Sequence, residues 1–123
     1  MFNLAIKRAI CWNSTTLTPV ASRLHCLVLK IRKTELFANW LDSLRDVRAR
    51  ARVQVRIERL AAGNPGDVQP VGEGVSELRI DYGPGYQVYF KKIGSEVLIL
   101  LAGGDKRTQG ADIKTALRLA RNL

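Results

Sequence analysis

Arg79, Gln87, Tyr89, Lys91, Lys106 and Arg107 are the side chains of this sequence best placed to handle a phosphate. Arg79 falls in the run Glu77-Leu78-Arg79-Ile80-Asp81-Tyr82, and Gln87, Tyr89 and Lys91 alternate with Tyr86, Val88 and Phe90 in the next. Strand side chains point alternately to the two faces of a sheet, so Glu77, Arg79 and Asp81 share one face, as do Gln87, Tyr89 and Lys91. If helices cover the apolar face, the polar set stays open to solvent, with Lys106 and Arg107 reaching its rim from the loop after a third strand. The expected result is a small basic concave patch containing tyrosine. Such a patch suits RNA cleavage by the RNA's own 2′-hydroxyl. That reaction needs help in deprotonating the hydroxyl, positive charge at the pentavalent phosphate and a proton for the leaving 5′-oxygen. His25, Cys11 and Cys26 are the only histidine and cysteines, and all lie before residue 27. A histidine-pair mechanism and a His/Cys metal cluster are thereby excluded from the body, and no cofactor is expected.

The elements that would position these groups follow from local pattern. Gly83-Pro84-Gly85 reads as a hairpin turn, and the unbroken apolar run 97–102 as a strand buried on both faces. That run empties into Gly103-Gly104-Asp105-Lys106-Arg107-Thr108-Gln109. The glycine pair lacks G-x-x-x-x-G-K-[ST] and reads as a tight turn, with Asp105 and Asp112 at helix termini. Upstream, residues 27–31 suit a first strand, and Thr34 can cap a helix whose Leu36, Phe37, Trp40, Leu41 and Leu44 share a face. Residues 47–58 alternate apolar and polar like a strand, yet Asp46, the Ala/Arg content and the ending Ala61-Ala62-Gly63-Asn64-Pro65 favour a helix. Its buried face would be Ala49, Val53, Ile57, Leu60 and Ala61, with its arginines fanned around the axis. Strands near 66–71, 76–82, 85–92 and 96–101 precede a last helix built on Ile113, Ala116, Leu117 and Ala120. The expectation is an α+β domain: two N-terminal helices packed on a mostly antiparallel sheet, with a C-terminal helix.

A chain of 123 residues is one domain's worth, and its 46% hydrophobic and 25% charged content is ordinary for a globular protein. No apolar stretch approaches the ~20 residues of a membrane span, so no membrane partner is expected, and a reducing cytoplasm fits the two upstream cysteines. The charge of +9 is uneven: Lys7, Arg8, Arg23, Lys30, Arg32 and Lys33 stand in the first 34 residues without a single acid. The remaining body is only mildly basic, so any case for nucleic acid depends on its cations converging on one face. Residues 1–26 show neither helical nor strand period and lack the continuous apolar core of a secretory signal. They read as an extension, disordered or started too early, ahead of a domain at 27–123.

GPGY-x-VYF followed by LL-x-GGDK-x-TQ-x-x-DI resembles the RelE/HigB-like toxins of type II toxin–antitoxin modules, in the branch called addiction module killer proteins. The likeness runs from about Leu27 to Leu123. It implies a small RelE-like domain and a ribosome-dependent, metal-independent mRNA endoribonuclease that inhibits translation. The implied partners are the ribosome, mRNA and a cognate antitoxin, a small helix-turn-helix protein from the adjacent gene. On this resemblance Arg79 would stabilise the phosphate, Lys106 would act as acid/base or electrostatic clamp, and Tyr89 would position a base or the phosphate. Gln87 stands where the family motif GPGYR has arginine, and Lys91 or Arg107 would compensate. The helix arginines, Arg52 and Arg56 among them, read either as a solvated face or as RNA-binding residues that would touch rRNA or an acidic antitoxin. Two other readings stay open: a non-enzymatic gyrase poison like the ParE toxins, and an attenuated module member that only binds antitoxin.

Overall fold

The computed structural model describes residues 28–123, so the proposed extension lies outside the described residues. Strand β1 (Lys30–Lys33) leads into helices α1 (Glu35–Ser43) and α2 (Val47–Ala61). Four strands follow, β2 (Val68–Gly72), β3 (Val75–Ile80), β4 (Tyr86–Ile93) and β5 (Val97–Asp105). A short 3₁₀ turn (Lys106–Thr108) then opens helix α3 (Gln109–Arg121). The sheet order is β1-β5-β4-β3-β2, with β1 parallel to β5 and the other neighbours antiparallel.

The arrangement of two N-terminal helices on a mostly antiparallel sheet is corrected by this topology. A strand precedes the helices and enters the sheet parallel to β5, so the sheet is mixed, and helices come both before and after its main run of strands. Parallel neighbours cannot be joined by a tight turn, and here the connection comprises α1, α2 and three strands. Backbone bonds seal the parallel pair, from Lys30 N to Glu96 O (2.7 Å) and from Thr34 N to Leu100 O (3.0 Å). Thr34 then turns the chain into α1: its hydroxyl accepts from Phe37 N (3.1 Å) and donates to Leu101 O (2.7 Å).

Asp46 starts α2 by accepting from Arg48 N (2.9 Å). Ala49, Val53, Ile57, Leu60 and Ala61 are its buried face. A strand would have put Val47 and Val55 on the same side as Val53; on the helix they are 67% and 42% exposed. With Phe37 and Leu41 of α1, this face packs on Leu78, Ile80, Val88, Phe90, Leu98 and Leu100. The opposite face is not open as expected. There α3 packs Ala116 and Ala120 against Val75, Tyr89, Leu101 and Ala102, with Ile113 and Leu117 alongside. At the far edge of the described strands, β2 carries Pro70 and an irregularity in register between Pro70 and Gly72.

Gly103 and Gly104 are packed on opposite sides. A Cβ on Gly103 would enter the Trp40 ring of α1, and one on Gly104 would enter the Asp112 carboxylate of α3. The pair is therefore close-packed strand rather than a tight turn.

Candidate functional site

At the end of β3 and the start of β4, Arg79, Gln87 and Lys106 line a cavity of about 370 Å³ together with Asp67, Ile80, Asp81, Gly85, Tyr86 and Gln109. Backbone pairing brings the first two together, because Arg79 sits opposite Gln87, which in turn sits opposite Gly104. Lys106 arrives from the 3₁₀ turn after β5, and its stem lies over Gly85. That glycine has φ +84°, and a Cβ there would sit 3.0 Å from Lys106 Cε. The positive φ favours glycine at this position, and a side chain there would also push the Lys106 stem aside.

Arg79 is held by a buried hub. Glu77, 2% exposed, accepts from Arg79 Nε at 3.0 Å, from the Tyr89 hydroxyl at 3.0 Å and from Gln109 Nε2 at 2.8 Å. The Arg79 side chain is 43% exposed, and among the described residues its terminal nitrogens have no protein acceptor. The guanidinium is fixed at its inner edge and free at its outer one. That geometry suits a group that must meet an anion without first reorganising.

Several expected site residues do not reach solvent. Tyr89 is fully buried under α3, and its hydroxyl is engaged by Glu77. Burial, followed by the Glu77 charge and hydrogen bond, pushes its phenol pKa far above the usual range. Its hydroxyl is a fixed donor to Glu77, closed off from the surface. Gln87 is 4% exposed, so it is not on an open strand face, and its Oε1 has no partner among the described residues. The physical reason is the same for both: α3 covers the face that alternation alone left bare.

The accessory cations separate from the pocket as well. Lys91 is four residues along β4 from Gln87, about 13 Å away at the usual strand rise, and packs against Gly74. Arg107 folds back on Asp105, with Nη2 2.9 Å from Oδ2. This contact holds the Asp105 carboxyl below its usual pKa. Neither cation lines the cavity, so neither compensates for Gln87 there. Arg56 donates to the carbonyls of Arg79 (2.7 Å) and Pro65 (3.0 Å), and Arg52 lies over the Tyr82 ring at 4.9 Å. Both sit on α2, beside a second cavity.

Sequence reasoning missed Glu77, Gln109, Tyr86 and Asp67 as parts of the site. Glu77 had a usable signal, since it lies two residues before Arg79 on the same strand face. Gln109 stood in the TQ motif without a reason attached to it. Among the described residues no group of His, Cys, Asp and Glu is arranged to hold a metal ion, and no helix is long and apolar enough to cross a membrane.

No family model matches the chain, and no solved structure matches it. An uncharacterized protein of Haemophilus influenzae is 47% identical over 97 residues, which is 79% of this chain and 98% of that protein.

Proposed function

The chain belongs to the same family as the Haemophilus influenzae protein, and for it we propose the role of a toxin in a toxin–antitoxin module, an endoribonuclease that cuts mRNA on the ribosome. The observation that carries this reading is the fixed Arg79 guanidinium facing a cavity shared with Lys106. Two cations at one pocket, one rigid and one on a long stem, match the charge that builds on a pentavalent phosphate. The motif resemblance to RelE/HigB-like toxins supports the same reading.

In this scheme the 2′-oxygen forms a bond to phosphorus while the bond to the 5′-oxygen breaks, leaving a cyclic phosphate and a 5′-hydroxyl. Arg79 and Lys106 bind the phosphoryl oxygens. The 2′-hydroxyl proton passes to a pocket carboxylate, Asp67 or Asp81, and the Lys106 ammonium supplies one to the leaving oxygen. Gln109 contributes indirectly, by clamping Glu77 beneath Arg79. The ribosome would present the mRNA, and the antitoxin would silence the protein.

The test is primer extension on a reporter mRNA from cells expressing the protein or Lys106→Ala. Lys106 is exposed, so its truncation leaves the fold intact. Translation-dependent cuts that vanish with Lys106→Ala are expected. Growth arrest that survives this change without mRNA cuts would favour the gyrase-poison reading instead.

A further inference from the structure

A second cavity, of about 400 Å³, opens between α2 and the end of β3, and its wall includes Ile80 and Asp81, which also line the first. The two cavities therefore adjoin. Arg52, Arg56 and Arg59 face the second one at helical steps of four and three residues. At 1.5 Å rise per residue the stripe extends about 10 Å along the α2 axis. Arg56 is fixed by the carbonyl of Arg79 itself, so the groove is built onto the strand that carries the candidate site. Arg52 and Arg59 have no carboxylate partner among the described residues. Between the arginines, Val55 (42% exposed) and Ile80 give the groove an apolar floor.

An apolar floor with a guanidinium rim fits single-stranded nucleic acid. Bases lie on apolar surface or stack on guanidinium planes, while phosphates meet the charges. Across the two cavities five cations, Arg52, Arg56, Arg59, Arg79 and Lys106, face two carboxylates, Asp67 and Asp81. We infer that the α2 groove is a flanking subsite that holds the RNA strand beside the nucleotide in the Arg79–Lys106 pocket. This inference rests on the reading of that pocket as an RNA site.

Fluorescence anisotropy with non-cleavable 2′-O-methyl oligonucleotides, one of four residues and one of ten, tests it on the full chain. The ten-residue strand should bind about tenfold tighter at low salt and with a salt slope steeper by roughly one, as one or two extra phosphate contacts require. Arg52→Ala/Arg59→Ala should erase that gain while leaving the four-residue affinity unchanged, with its melting curve confirming the fold. A gain that survives the double substitution, or no gain with length, overturns the inference. Lys106→Ala reports separately on the pocket. If it leaves four-residue binding untouched, the pocket reading fails whatever the groove does.

Discussion

Glu77 and Arg79 lie two residues apart on one face of β3, and the buried carboxylate takes the Nε–H of the half-exposed guanidinium at 3.0 Å. The pair joins the interior to the pocket: one member anchors α3 through Gln109, and the other presents charge to the cavity. It also changes what a simple truncation means. Arg79→Ala is not a benign surface change, because it leaves Glu77 buried without its cation, although the half-exposed guanidinium is screened by solvent and the cost stays below the ~3–5 kcal/mol of a fully buried pair.

Glu77→Gln should separate positioning from stability. The amide oxygen still accepts from Arg79, and the amide NH2 can donate to the Tyr89 oxygen and, once the Gln109 amide turns over, to its Oε1. The protein should therefore fold with a melting temperature lowered by no more than about 8 °C, as for roughly 1 kcal/mol. RNA cleavage should fall by more than about tenfold, because the charge that orients the guanidinium is gone. A variant as active as wild type would remove Glu77 from the site. Because Lys106 is untouched, weak phosphate binding should persist.

Strand alternation puts Gln87 on an open face, at the position where the family motif has arginine. At 4% exposure it lines the closed end of the cavity opposite Arg79 and Gly104, so a longer cationic side chain would crowd the Arg79 guanidinium. Gln87→Arg should instead destabilise by about 1–3 kcal/mol through overpacking and leave activity no higher. Gln87→Leu removes an unsatisfied Oε1, and such replacements are close to neutral or stabilising. Thermal melts of the two variants should therefore move in opposite directions, or the second should not move at all.

Tyr89 should not titrate while the protein is folded. Its pKa is raised by burial first and by Glu77 second, so the folded state favours the protonated phenol. That contribution to stability is complete below the unfolded value, about 10, and is lost as pH rises through the higher folded value. In an alkaline titration followed by phenolate absorbance, the signal missing from Tyr89→Phe should appear only as ellipticity is lost. An early phenolate assigned to Tyr89 would show that its hydroxyl is not sealed.

Gly103→Ala places a methyl in the Trp40 ring. The ring is boxed in by Phe37 and Tyr86, at centroid distances of 5.7 and 6.2 Å, and cannot step aside freely. A loss of about 1–3 kcal/mol is expected in denaturant melts. Trp40→Leu in the same background should recover part of it, which a purely backbone effect of alanine would not allow.

Much of the framework was legible because short-range rules govern it. Thr34 and Asp46 mark helix starts through side-chain caps, and the Ala49-to-Ala61 stripe has only one helical face to offer. The parallel place of β1 was not legible, since four residues carry no record of which distant strand they will meet. The fate of the second sheet face was also hidden. Ile113, Ala116, Leu117 and Ala120 announced an apolar stripe, but Glu77, Gln87 and Tyr89 looked like solvent-facing letters. Glu77 and Tyr89 are buried through their mutual hydrogen bond, and no single residue type signals such a pairing. Arg79 and Lys106 meet at one pocket because turns at both ends of the strands bring them there.

The break in register at Pro70 has a consequence for how copies of this protein meet. β2 is an edge strand among the described residues, and an intact edge offers a row of free backbone donors and acceptors to any passing strand. Pro70 lacks one of those donors, and the irregularity before Gly72 puts the rest out of step. A neighbouring molecule therefore finds no continuous ladder to extend along β2, and this rim is a poor template for sheet-to-sheet polymerisation.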